Sequence, residues 1–107
     1  MREVNINQDN VLRLVSRQAN RLPDRYVTTL RFHKFSGKTI HEEGAATTRL
    51  WLFVFDSSLP DWKHAPAKAE FRFDDSEGTR QWALTYNALR AFVRKKTAEA
   101  AEGGCDE

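Results

Sequence analysis

Thr48-Arg49-Leu50-Trp51-Leu52-Phe53-Val54-Phe55-Asp56 decides the fold. Aromatic, β-branched and leucine side chains fill its centre, the composition of a strand. Successive strand side chains point to opposite faces. Leu50, Leu52 and Val54 therefore share one face, and Trp51, Phe53 and Phe55 share the other. A strand apolar on both faces is expected at the centre of a sheet, covered on both sides. Asp56-Ser57-Ser58-Leu59-Pro60-Asp61 ends it with turn-forming residues.

On either side lie two weaker strands. Upstream, Tyr26, Val27, Thr28, Thr29, Leu30 and Phe32 give high β-propensity from about Arg25 to Phe35, before the turn Ser36-Gly37-Lys38. Thr39 to Ala46 reads as loop, with room for a short strand near Lys38–His41. Downstream, Ala69, Phe71 and Phe73 alternate with Glu70 and Arg72 from about Lys68 to Phe73, the period of a half-buried strand.

Helical patterns bracket the strands. Val11, Leu12, Val15, Ala19 and Leu22 recur at helical spacing between about Gln8 and Leu22. Asn7 or Asn5 can cap that helix, and Pro23 disfavours its continuation. From about Glu77 to Ala101, Trp82, Tyr86, Leu89 and Val93 form an apolar stripe that Phe92 widens, with Asp75 or Ser76 as the cap. The order α-β-β-β-α predicts an α+β fold: a three-stranded antiparallel meander flanked by an N-terminal helix and a long C-terminal helix. Trp82, Tyr86, Leu89 and Val93 are expected to pack on Phe71, Phe73, Leu50 and Leu52.

The 107 residues suit a single α+β domain, residues 1–101, followed by a short acidic flexible tail, residues 102–107. Residues 1–96 hold all 17 Lys and Arg against 11 acids, a net of +6; the last eleven carry four acids and no base. A basic body is compatible with a polyanionic partner. No run approaches the about 20 apolar residues of a membrane span, and no signal-peptide pattern opens the chain, so a cytoplasmic location is expected. The single cysteine, Cys105, excludes an intrachain disulfide framework. His33, His41 and His64 lack metal-ligand spacing. No nucleophile motif or phosphate-cradling glycine loop occurs, so neither enzyme activity nor a cofactor is expected.

Three features are candidates for function. Arg13, Arg17 and Arg21 recur every four residues on the first helix, with Arg25 just beyond it. Their spacing of about 6 Å suits a phosphate backbone. Arg80, Arg90 and Arg94, with Asn87, lie on the side of the second helix away from its apolar stripe and make a second basic surface. Arginine pairs bidentately with phosphate. A solvated charged face accounts equally for both sets.

The third feature is aromatic. The simpler expectation is that the first helix covers Trp51, Phe53 and Phe55 and buries them. If only one sheet face is covered, these rings lie open, with Arg31, His33 or Arg72 beside them according to register. That arrangement makes a base-stacking platform or a dimer face. Trp62, in the loop Leu59-Pro60-Asp61-Trp62-Lys63-His64-Ala65-Pro66, either anchors an interface or folds back to plug the core.

The element order is similar to that of the double-stranded RNA-binding domain, and Gly78-Thr79-Arg80-Gln81 resembles the start of that family's second helix. The family's lysine cluster and its Gly-Pro-x-His loop are missing, and Asp74, Asp75 and Glu77 lie where phosphates would. The resemblance is one of topology and assigns no family. The expectation from sequence is a small non-enzymatic binding protein whose partner is a nucleic acid held by the arginine faces. The alternative is a protein–protein interaction module, an inhibitor or adaptor such as a phage or mobile-element accessory protein. It would use Trp51, Phe53, Phe55 and Trp62 against a protein partner or a second copy.

Overall fold

The computed structural model describes residues 5–7, 9–37, 44–74 and 78–104, with 34–37, 44–48, 78–80 and 102–104 described by backbone alone. Helix α1 (Val11–Ala19) leads into strands β1 (Tyr26–Gly37), β2 (Gly44–Asp56) and β3 (Ala69–Asp74), and helix α2 (Gly78–Gly104) follows. The fold is α+β, and the strands form one antiparallel meander in the order β1-β2-β3. Trp51 lies opposite Arg31 on β1 and Arg72 on β3, which places β2 at the centre.

Several boundaries differ from the sequence reading, each for a local reason. Asn7 accepts hydrogen bonds on Oδ1 from the Asp9 and Asn10 N–H groups, at 2.8 and 3.2 Å. That side chain holds a turn ahead of the helix, so α1 begins at Val11 and not near Gln8. At the other end Arg21 and Leu22 donate three residues back, to Gln18 and Ala19. This tightens the chain out of α-helical geometry before Pro23. Strand β2 starts at Gly44, inside the segment read as loop. Gly44, Ala45 and Ala46 have little β-propensity; Gly44 pairs with Gly37 of β1 across a register irregularity that takes in Ala45 and Ala46. The short strand considered near Lys38–His41 and the caps Asp75 and Ser76 lie outside the described residues. Helix α2 runs on through Gly103 and Gly104, beyond the expected end at Ala101.

One core joins both helices to one sheet face. Leu50, Leu52, Val54 and Phe73 are fully buried there, beneath Trp82, Tyr86, Leu89 and Val93 of α2. Phe92 meets Phe71 edge-on at 5.6 Å and Tyr26 at 6.4 Å, so α2 spans all three strands. Val11 and Val15 of α1 belong to the same cluster. Gln18, buried beside them, donates from Nε2 to the Tyr86 hydroxyl at 3.4 Å. The smallest dimension of the molecule is 17 Å, in keeping with one helical layer on one sheet.

The expectation that α1 covers the second sheet face is therefore wrong. The buried side of α1 is narrow: Val11, Val15 and Gln18, continued by Leu22. It fills the space beside α2 and completes the cover over Leu50, Leu52 and Val54. Trp51, Phe53 and Phe55 are only half-buried on the opposite face, where they shelter one another.

The turn into β1 is fixed to the end of β2 by charge. Arg25 forks onto Asp56, Nε to Oδ1 at 3.2 Å and Nη2 to Oδ2 at 2.6 Å. Ser58 adds its backbone N–H and its hydroxyl to Asp56 Oδ1. The Asp56 side chain is 3% exposed. The Arg25 bonds first, and then those of Ser58, hold its carboxyl well below the usual carboxylate range. A depressed carboxylate stabilises the fold fully above its unfolded value of about 3.9, and that contribution is lost as pH falls below it. Asp56→Asn is expected to destabilise the protein by about 1–2 kcal/mol at pH 7, the weight of charged hydrogen bonds discounted for an exposed partner. In urea unfolding, the gap between wild type and variant should be constant above about pH 5 and narrow progressively as pH falls below about 4. A gap independent of pH would assign the stabilisation to packing.

Candidate functional site

Two surfaces remain when the core is accounted for, one on each layer. On the helical layer, Arg13, Arg17 and Arg21 are exposed, and among the described residues none of them is in an ion pair. Each residue turns a helix by about 100°, so a spacing of four advances about 40°. Arg17 is therefore turned about 40° from Arg13, which lies at the back of α1, and Arg21, past the end of the helix, shares a groove with the buried Gln18. Arg90 and Arg94 flank the buried stripe of α2 in the same way. The seam between the helices brings them together: Arg21, Arg90 and Arg94 line one open groove of about 620 Å³ with Gln18, Val93 and Thr97. No acid is among the described residues that line it.

Arg90 lies 5.8 Å from the Tyr86 ring centre, and its Nη1 is buried with no hydrogen-bond partner among the described residues. An orphaned donor of this kind calls for an explanation, because leaving one unmade costs free energy. Four of the seven predicted arginines are not among the residues that line the groove: Arg13 and Arg17, exposed on α1, and Arg25 and Arg80. Arg25 is held by Asp56 and Ser58. Arg80 starts α2, where only the backbone is described.

On the sheet layer, register fixes the neighbours that sequence left open. Among the residues whose side chains are described, four rows cross the uncovered face: His33 and Arg49 with Asp74; Arg31, Trp51 and Arg72; Thr29, Phe53 and Glu70; and Val27 with Phe55. The Arg72 guanidinium lies 4.9 Å from the Trp51 ring centre, and Trp51 meets Phe53 at 6.1 Å in a T-shaped contact. Trp62 packs on Phe55 at 6.4 Å, with the Lys63 ammonium 5.8 Å from its ring. It does not plug the core; it extends the aromatic row. Asp61, at φ 61°, turns the loop just before it, a left-handed conformation that aspartate tolerates.

Arg31, His33, Arg49 and Trp51 line a smaller cavity of about 140 Å³. The Trp51 indole N–H is buried and lacks a hydrogen-bond partner among the described residues. Both acids of this face are occupied, Glu70 with Arg72 at 2.6 Å and Asp74 with Arg49 at 3.3 Å.

Sequence reasoning missed Arg49 and Gln18. Arg49 shares strand parity with Trp51, a signal present in the chain. Gln18 occupies an apolar position of α1, and only its bond to Tyr86 explains it. No helix among the described residues is long and apolar enough to cross a membrane. Comparison with protein-family models, with curated proteins and with solved structures finds no match for this chain.

Proposed function

We propose that this is a non-enzymatic nucleic-acid-binding domain that grips phosphates with the arginines of its helical layer. The observation that carries the proposal is the convergence of Arg21, Arg90 and Arg94 on one groove with no acid in its described lining. Like charges so gathered repel one another, and a polyanion relieves that repulsion. Guanidinium groups suit phosphate because their planar fork offers paired N–H donors to paired oxygens. Arg13 and Arg17 continue the positive surface along α1, and Arg90 brings a donor that lacks an acceptor.

Binding of a fluorescein-labelled 20-nucleotide strand and of its duplex, followed by anisotropy over a range of salt, tests the proposal. The logarithm of the association constant is expected to fall linearly with the logarithm of salt concentration, by about 0.7 per phosphate for a single strand and 0.9 for a duplex. Absence of binding to both probes at 50 mM salt, or an affinity indifferent to salt, overturns it.

A further inference from the structure

The face of the sheet left uncovered by both helices has a second use. We infer that it is a stacking platform for the bases of a single-stranded nucleic acid, with Trp51 at its centre. The inference rests on the nucleic-acid reading and adds to it a class of ligand and a separate contact surface. Successive residues on one strand face stand about 6.7 Å apart, twice the rise per residue, and the Trp51 and Phe53 ring centres are 6.1 Å apart. Bases stacked within a helix lie about 3.4 Å apart along each strand. The row Trp51, Phe53, Phe55 therefore matches bases splayed out of a stack, which a duplex cannot present.

Charge complementarity selects the same occupant. Trp51 sits between Arg31 and Arg72 across the strands. Arg31, in no ion pair among the described residues, can meet a flanking phosphate, while Arg72, paired with Glu70 and 4.9 Å from the ring centre, must shift aside for a base to stack there. The two acids of the face are engaged by Arg72 and Arg49, and among the described residues no acid pairs with Arg31. The cavity beside Trp51 is lined by Arg31, His33, Arg49 and the indole ring. The Arg31 guanidinium and the indole N–H offer donors, and the indole a π-face, to an acceptor-rich ring. The two buried donors that lack a partner among the described residues, Trp51 Nε1 and Arg90 Nη1, fall one on each of the two candidate surfaces. A second copy suits the face poorly. A two-fold interface apposes a patch to itself. With Arg31, Arg49 and Arg72 against Glu70 and Asp74, the described part of this face carries net positive charge, so two copies would bring like charge together.

The test uses oligo(dT) and oligo(U) 12-mers and a 12-base-pair duplex against the full chain and the variants Trp51→Phe and Trp51→Leu. Phenylalanine keeps a stacking ring, whereas leucine keeps only apolar bulk. Trp51→Leu is expected to weaken both single strands about tenfold or more, Trp51→Phe by much less, and neither to change duplex binding. A loss on Trp51→Leu shared by oligo(U) and oligo(dT) supports a platform that reads base faces, and a loss confined to one of them supports it and names that strand as the occupant. Single-strand affinity equal in wild type and Trp51→Leu overturns it while leaving the arginine groove standing. Loss of binding to single strand and duplex alike in wild type removes both readings. Sedimentation that shows a dimer converted to monomer by Trp51→Leu, with no change in single-strand affinity, assigns the face to a second copy and also overturns the platform. Thermal melts establish that each variant is folded, which the half-exposed position of Trp51 favours.

Discussion

Trp82→Ala is expected to destabilise the protein by about 3–5 kcal/mol, the range for removing a large aromatic from a core. Trp82 is 1% exposed and meets Phe73 edge-on at 6.1 Å. Its indole N–H donates to the Asp74 carbonyl at 2.9 Å, at the end of β3. The residue therefore joins the start of α2 to the last strand through both packing and a hydrogen bond. Alanine removes the ring contacts, leaves a cavity beneath α2, and takes away the donor. A domain of this length has a total stability of about 5–15 kcal/mol. The substitution should therefore lower the melting temperature by tens of degrees or leave the protein unfolded. Trp82→Phe separates the two contributions. It keeps one six-membered aromatic ring and loses the pyrrole part with its N–H, and should cost about 1–3 kcal/mol, well below the cost of alanine. Urea midpoints for the two variants give the comparison. A loss under 1 kcal/mol for Trp82→Ala would mean that the base of α2 contributes little to the core.

The stripe that contains Trp82 was legible because helix period and burial agree over about three turns. Trp82, Tyr86, Leu89 and Val93 are all buried, as their spacing predicts. Leu50, Leu52 and Val54 likewise alternate inward, and the meander follows from strands joined without helices. Which face α1 would cover was not legible. Periodicity tells how much of a segment is apolar, not what lies against it. The aromatic side of β2 looks like core in sequence because rings on a strand can shelter one another and accept a guanidinium as cover, as Trp51 does with Arg72. Cross-strand register, a long-range property, decided whether Arg31, His33 and Arg72 would join them. The two arginine sets were found one helix at a time. Their meeting depends on α1 and α2 lying on the same layer. Arg25 looked like the fourth member of a ridge, and Asp56, 31 residues away, holds it instead.

Replacing Arg21, Arg90 and Arg94 together by alanine is expected to produce the largest change in binding. Each guanidinium that contacts a phosphate releases about 0.7 counterion equivalents from a single strand and about 0.9 from a duplex. Three lost contacts should reduce the salt slope by about 2–3 units. The deficit in affinity then depends on salt in a calculable way. With a slope change of about 2, it grows about a hundredfold for each tenfold dilution of salt, so it is large near 0.1 M and almost absent near 1 M. Folding should be spared at Arg21 and Arg94, which are exposed, and lightly affected at Arg90, whose guanidinium lies near the Tyr86 ring. Arg25→Ala supplies the contrast. Its guanidinium is committed to Asp56, so it should lower stability and leave the salt slope unchanged. A triple variant with the wild-type slope would show that these arginines form a solvated face, and the phosphate contacts would then belong to the sheet side of the molecule. A deficit that stays constant with salt would instead indicate lost shape or packing in the groove, because only the electrostatic part of the contact is screened.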